Sequence, residues 1–438
     1  MNPQPLFVAR VTFLTKHPML FGQYNEVKLD TQPQITRRTP QGLHLALLIP
    51  MLSAIVAITP LAIDMYLPAM ATIAESFHSD ITTVQQSLSL YLAGYSLGML
   101  TFGPLADRFG RRPLVIIGLS GFMLVSLGLA LSQTIEMFLS LRLFQAFIGA
   151  AATVVIPGYI KEVYGDNTAK GMSYVSLIMM LAPLLAPSIG SLILELGEWH
   201  LIFFILACYA LLLLMLVLLK LRLPSDIQGA ERSRKSFFGA YATVFTRPGV
   251  KLHIGSGVLT SFAFFCYLTA SPFVYMSVFN LDKSLFAILF STNVGALMLA
   301  NIINSRIVGR YGSRRMLVAA TMLGSIAAAG LLLVNLLDLS YHFTVTMLIP
   351  LMGCLGVMSV NADAIVLMKF QQETGTATAV IGTLRFGFGA LAGPLLALFY
   401  TGTAVPFAAL MLASVLLVGL CQFAVSRRPA PECRSTGS

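Results

Sequence analysis

The chain has 438 residues, 57% of them hydrophobic and 11% charged, with a mean hydropathy of +0.82. Soluble domains carry roughly 25% charged residues, so this composition excludes a water-soluble globular fold and makes the chain a polytopic membrane protein. Its net charge of +10 requires no nucleic acid, because basic loops beside anionic lipid give the same balance.

Residues 1–42 are polar and dotted with proline, and their Leu6-Phe7-Val8 cluster is too short for a signal-peptide core. They are expected to be a disordered cytoplasmic tail; a start site placed too far upstream would look the same. Twelve apolar segments follow at roughly 43–67, 83–105, 113–132, 137–159, 171–193, 200–220, 252–276, 285–307, 316–336, 343–367, 376–400 and 404–425. Each has about 20 residues, enough to cross about 30 Å of hydrocarbon as a helix.

Topology follows from the 28 Lys and Arg. Arg142 and Arg385 lie within spans, 25 others fall in the termini and the loops after spans 2, 4, 6, 8 and 10, and the opposite loops hold only Lys283. Positive residues stay on the cytoplasmic side, so both termini are expected there. The opposite loops are acidic, with Glu75, Asp80, Glu136, Glu195, Glu198, Asp282 and Asp338.

The one long internal hydrophilic stretch, 221–251, carries Arg222, Arg232, Arg234 and Lys235 and divides the spans six and six. It is expected to link an N-terminal half, 43–220, to a C-terminal half, 252–426, with 427–438 as a cytoplasmic tail. The halves echo each other: Arg108-Phe109-Gly110-Arg111-Arg112 returns as Arg310-Tyr311-Gly312-Ser313-Arg314-Arg315, and Pro183-Leu184-Leu185-Ala186 as Pro394-Leu395-Leu396-Ala397. The expected fold is therefore an all-α membrane protein of 12 transmembrane helices in two pseudo-symmetric six-helix halves, the organisation of carriers that rock about a central site.

Asp64 stands inside the first span, in Thr59-Pro60-Leu61-Ala62-Ile63-Asp64-Met65-Tyr66-Leu67-Pro68. An acid in hydrocarbon marks a functional site by default; an acid at a helix end that reaches headgroup water is the other account. Counting about 1.5 Å per residue along oppositely running spans places Asp64 and Arg142 at similar depth, where they can meet. The acid's protonation would then depend on whether that pair is closed.

Arg385 falls near the midplane of span 11. It either lines a cavity, where its charge would favour neutral or weakly acidic ligands over permanent cations, or bonds to backbone carbonyls. Asp363 is expected to be solvated or capping near the cytoplasmic end of span 10, with Asn361 similar. Tyr91, Tyr95 and Tyr267, together with Phe262, Phe264, Phe265, Phe273 and Tyr275, would suit a cavity for flat amphipathic ligands, yet aromatic and lipid-facing packing is the commoner fate of such residues.

Gly103-Pro104-Leu105-Ala106-Asp107-Arg108-Phe109-Gly110-Arg111-Arg112 resembles the motif A loop of the major facilitator superfamily, placed between spans 2 and 3 as in that family. Arg142-Leu143-Phe144-Gln145 with Gly149-Ala150-Ala151 resembles motif B, with Ala146 at a position where the family often has Gly. Ala182-Pro183-Leu184-Leu185-Ala186-Pro187-Ser188-Ile189-Gly190 is similar to the antiporter motif C, with fewer glycines, and Asp64-Met65-Tyr66-Leu67-Pro68 to motif D of drug:proton antiporters. With Ser271-Pro272-Phe273-Val274-Tyr275, these features resemble the bicyclomycin/chloramphenicol-resistance subfamily over about residues 44–426.

The resemblance implies export of small amphipathic drugs or metabolites in exchange for protons from a bacterial inner membrane, with Asp64 and Arg142 in proton coupling. Gly103, Asp107, Arg108, Gly110 and Arg111 would form a conformational latch, although Arg111 and Arg112 equally suit positive-inside anchoring. Pro183 and Pro187 each remove a backbone donor, so span 5 is expected to bend, while Gly190 allows close packing; a packing helix and a barrier to proton leak are both open. Tyr91, Tyr95, Tyr267, Asn361 and Arg385 are the cavity candidates.

No GxxxxGK[ST] loop, nucleophile elbow or HExxH pair occurs, and Cys208, Cys266, Cys354, Cys421 and Cys433 have neither metal spacing nor a disulfide pattern. The expected partners are small molecules, protons and the lipid bilayer, with no metal and no cofactor beyond a proton gradient, and the expected state is a monomer. A proton-coupled uptake carrier and an intramembrane enzyme are the competing classes.

Overall fold

The computed structural model describes residues 42–164, 168–220, 249–370 and 374–427. The expected N-terminal tail, most of the linker and the C-terminal tail lie outside the described residues. Every regular element among the described residues is helical. The principal helices are α1 (Gly42–Asp64), α2 (Ile81–Phe109), α3 (Arg111–Ala130), α4 (Ile135–Thr153), α5 (Thr168–Leu196) and α6 (His200–Lys220). They continue as α7 (Lys251–Pro272), α8 (Lys283–Tyr311), α9 (Ser313–Leu336), α10 (Tyr341–Leu367), α11 (Thr374–Gly389) and α12 (Val405–Ser426).

Among the described residues, 11 helices are long and apolar enough to cross a membrane. The twelfth, α5, is a helix of 29 residues whose described apolar stretch is Leu181–Leu196. One helix runs through Pro183 and Pro187 without interruption.

Packing repeats with a period of six helices. In the first half α4 packs on α2, α3 on α4 and on α6, and α1 on α4, α5 and α6; in the second, α10 packs on α8, α9 on α10 and on α12, and α7 on α10, α11 and α12. The halves meet through α2 with α11 and α5 with α8, two contacts that exchange into each other when the halves are swapped. Helices in lipid associate by close packing and polar contacts and not by excluding water, so α7 is built as an interior helix, with 83% of its apolar window buried, whereas α8 buries 28%.

Four helices break for a common reason. Proline has no N–H, so the carbonyl four residues before it loses its intrahelical donor. Pro68 leaves the carbonyl of Asp64, where α1 ends and a 3₁₀ turn, Leu67–Ala69, begins. Pro157 stands four residues after Thr153, the end of α4, and a further helix, Ile156–Tyr164, resumes beyond. Pro272 frees the carbonyl of Leu268, toward which Ser271 Oγ donates at 3.5 Å, and α7 passes into a π-helical turn, Phe273–Val278. Pro394 frees Ala390, between α11 and the short helix Ala392–Leu398. The breaks in α1 and α7 occupy matching places in the two halves, and the segment Met70–Ser76 touches Phe273–Val278 across the divide.

Hydrogen bonds between the halves run from mid-helix toward the acidic-loop face. Ser96 Oγ donates to the Thr383 carbonyl at 2.9 Å and Gly393 N donates to Ser89 Oγ at 2.9 Å. Ser191 Oγ donates to the Lys283 carbonyl at 2.9 Å and Ser284 Oγ to Glu195 at 3.3 Å. Toward the basic-loop face, a Cβ placed on Gly103 of α2 or Gly309 of α8 would meet nothing within 4 Å.

Candidate functional site

The break after Asp64 positions the acid. Its side chain is 2% exposed and Oδ1 has no hydrogen-bond partner, so the carboxylate lies inside the protein and does not reach interfacial water. Two neighbours hold the turn in place. Gly190 of α5 lies against the Met65 carbonyl, leaving no room for a Cβ, and close to the Pro68 ring. Tyr66, fully buried, shares a 3.1 Å hydrogen bond with Ser87 of α2.

Arg142 of α4 is also fully buried, and its guanidinium carbon stands 4.2 Å from the Tyr66 ring centroid, 4.5 Å from that of Tyr91 and 5.8 Å from that of Phe203. Cation–π contacts of this kind are worth about 2 kcal/mol or more when desolvated, which compensates part of the expense of a buried cation. Nη1 donates to Gln145 Oε1 at 2.7 Å, and Gln145 Nε2 donates to Ser126 Oγ at 2.8 Å. Nε and Nη2 have no hydrogen-bond partner. No ion pair joins Arg142 to Asp64; the two flank Tyr66, each with unused hydrogen-bonding capacity.

The other sequence candidates separate. Tyr91 lies under Arg142. Tyr95 bonds to Thr153 Oγ1 at 2.9 Å and its ring meets Phe386 of the other half at 4.6 Å, with Phe265 beyond at 5.5 Å. Tyr267 accepts a 3.1 Å hydrogen bond from Asn293 Nδ2, which donates equally to Tyr275. Asn361 is fully buried and donates to Asn304 Oδ1 at 2.9 Å and to the Val357 carbonyl at 2.8 Å, so it ties α10 to α8 and is closed off from the gap between halves.

Arg385 Nη2 donates to Asp363 Oδ1 at 2.7 Å. The sequence reading placed these two at different depths and in separate roles, Asp363 solvated or capping and Arg385 alone at the midplane; the structure makes them a pair. Asn293 and Ser126 were also missed, and Gln145 was named only as part of its motif. An amide or hydroxyl in an apolar span carries no pattern of its own, and only the rule that buried polar groups need partners would have drawn attention to them.

In the loop between α2 and α3, Gly110 adopts φ +86°, a conformation that favours glycine and lets Arg111 open α3 at once. Arg111 folds over Gly158 in the helix beyond α4: a Cβ there would come 2.7 Å from its Cζ. Asp107 and Arg108 occupy the last turn of α2, and their side chains lie outside the described residues.

Comparison with known proteins agrees with this architecture. The sequence profile of the Major Facilitator Superfamily matches residues 52–394. A Haemophilus influenzae protein named bicyclomycin resistance protein homolog is 31% identical over 373 residues, covering 84% of this chain and 93% of its own length. Multidrug resistance protein MdtL of Escherichia coli is 27% identical over 283 residues, covering 64% of this chain and 71% of its own. The crystal structure of the nucleoside transporter NupG superposes with a TM-score of 0.68 at 13% identity, covering 86% of this chain and 99% of that one, a likeness of fold. The chain belongs to the Major Facilitator Superfamily and is a multi-pass membrane transporter of small molecules, not an enzyme.

Proposed function

We propose that this transporter is a proton-coupled antiporter that exports small amphipathic drugs or metabolites from a bacterial inner membrane, working as a monomer with both termini cytoplasmic. The names of its bacterial relatives support drug export, and the segregation of Lys and Arg supports the orientation. In that orientation the hydrogen bonds of Ser191, Ser284 and Gly393 between the halves lie on the outer side.

One observation carries the coupling: the Asp64 carboxylate is enclosed at a helix break with Oδ1 unpartnered, in the turn whose Tyr66 ring packs on Arg142, and Arg142 Nε and Nη2 are also without hydrogen-bond partners. A site whose charge depends on conformation can exchange a proton for a ligand, which is the linkage antiport requires. The gradient then supplies the energy, and the loop with Gly103, Gly110 and Arg111 acts as a latch on the cytoplasmic face.

The test is transport by purified protein in vesicles with an imposed pH gradient. Asp64→Asn is expected to abolish gradient-driven efflux while the protein still folds and binds drug. Full efflux by that variant would remove Asp64 from the coupling, and drug movement in the opposite direction would make the chain an uptake carrier.

A further inference from the structure

The break that carries Asp64 has a counterpart in the other half. Pro272 stands to Leu268 as Pro68 stands to Asp64, and beside Leu268 is Tyr267, a fully buried phenol that lies close enough to Asp64 to feel its charge. The backbone joins the same two regions. The turn Leu67–Ala69 packs on α8, and Met70–Ser76 packs on the π-helical turn Phe273–Val278.

Asn293 of α8 holds Tyr267 in place. It is fully buried, and its Nδ2 donates at 3.1 Å to the Tyr267 hydroxyl and at 3.1 Å to that of Tyr275, while the Tyr267 ring stacks on Phe290 at 5.4 Å. A phenol oxygen that accepts in this way keeps its own proton for another acceptor. Among the described residues no acceptor takes that proton, and Asp64 Oδ1 has no donor. Tyr275 shares the amide equally but feels no charge from Asp64.

The other ionisable groups around the acid belong to its own half: Tyr66 in the same turn, Tyr91 on α2 and Arg142 on α4. Tyr66 is engaged with Ser87 and Arg142 with aromatic rings. No Asp, Glu, His, Lys or Arg occurs on α5 between Lys170 and Glu195, on α6 between His200 and Lys220, or on α8 between Lys283 and Arg306. Among the described residues, Tyr267 is thus the ionisable group that the C-terminal half brings to Asp64.

We propose that Tyr267 is a lock against proton leak: its hydroxyl donates to the ionised Asp64 carboxylate and holds the outer ends of the two halves together until a drug parts them. A hydrogen bond to a carboxylate is about twice as strong as one to a neutral group, so ionisation of Asp64 tightens the lock and protonation loosens it. An empty carrier that has released its proton to the cytoplasm is therefore held with its outer side shut. Protons can flow without drug only if that empty, ionised carrier swings outward again, which is the step the lock slows. The inference rests on the antiport reading and adds to it the group that senses the acid from the opposite half.

Purified carrier in liposomes loaded with the pH dye pyranine, under an imposed pH gradient with the membrane potential clamped by potassium and valinomycin, reads the leak. Without drug, Tyr267→Phe is expected to raise proton flux about tenfold over wild type, the population shift of one hydrogen bond to a charged group. Adding Asp64→Asn to it is expected to remove that flux. Tyr275→Phe loses an equal hydrogen bond to the same amide and is expected to stay at the wild-type level. A Tyr267→Phe flux no higher than wild type, an equal leak through Tyr275→Phe, or a leak that survives Asp64→Asn overturns the proposal. Should Tyr267→Phe fail to reach the membrane, Asn293→Ala, which releases the hydroxyl from its support, decides by the same comparison. Proton flux evoked in wild type by chloramphenicol or tetraphenylphosphonium reports antiport separately. Its presence beside a silent Tyr267→Phe overturns the lock alone, and its absence with both compounds overturns the antiport reading and the lock with it.

Discussion

The Arg142 guanidinium carbon stands 4.2 Å from the centroid of the Tyr66 ring, and Tyr66 follows Asp64 by two residues in the same turn. A buried cation is thereby held by an aromatic face one step away from a buried acid. The ring has two separable jobs, to hold Arg142 and to pin the turn to Ser87 through its hydroxyl.

Substitutions separate those jobs. Tyr66→Phe keeps the face and loses one hydrogen bond, which is expected to lower stability by about 1 kcal/mol and to leave the pH profile of transport in place. Tyr66→Leu removes the face, worth about 2 kcal/mol when desolvated, and releases Arg142 toward Asp64, so the pH profile shifts as well. Thermal unfolding in detergent and transport across a range of pH measure both. Equal profiles for the two variants would mean that the ring does not restrain Arg142.

Glycines give a second contrast. Gly190 has no space for a Cβ against the Met65 carbonyl, whereas Gly103 has open space around it. Gly190→Ala is therefore expected to push α5 away from the turn that carries Asp64, with a loss of about 1–3 kcal/mol typical of overpacking and impaired efflux. Gly103→Ala lies within a helix and is expected to hold or raise stability by up to about 1 kcal/mol. A lower unfolding temperature for Gly103→Ala than for Gly190→Ala would contradict this packing.

Much of this architecture is legible in the sequence because the bilayer makes strict demands. Helices must be about 20 residues long and apolar, basic loops segregate, and the paired Arg-Gly-Arg loops disclose the repeat. The helix breaks are not legible from proline alone, since α1 runs through Pro50 and Pro60, α2 through Pro104 and α10 through Pro350 without a break. Nor is side-chain direction. Depth counting brought Asp64 and Arg142 to one level, yet Arg142 turns to aromatic rings. The same counting separated Asp363 from Arg385, because it measures each residue from its own helix end and ignores both the offset between helices and the reach of an arginine stem. Pro183 and Pro187 lie inside one continuous helix, α5, whereas the matching Pro394 stands at a break between α11 and the short helix Ala392–Leu398.

The contact between α2 and the short helix Ala392–Leu398 that follows α11 provides the last prediction. Gly393 N donates to Ser89 Oγ at 2.9 Å, and a Cβ on Gly393 would lie 3.2 Å from the Ser89 Cβ. Disulfides need Cβ atoms about 3.5–4.5 Å apart, so a separation of a few tenths of an ångström lets Ser89→Cys with Gly393→Cys close a cross-link between the halves. Alternating access requires these helices to part on the acidic-loop face when the carrier opens there. Oxidation of the double variant is therefore expected to stop efflux almost completely and reduction to restore it, with the single variants indifferent to oxidant. Electrophoretic detection of the cross-link in a protease-nicked form, run beside the transport assay, checks the two events together. A cross-linked carrier that still transports would show that α2 and this short helix stay together throughout the cycle and that the outer opening lies between α5 and α8.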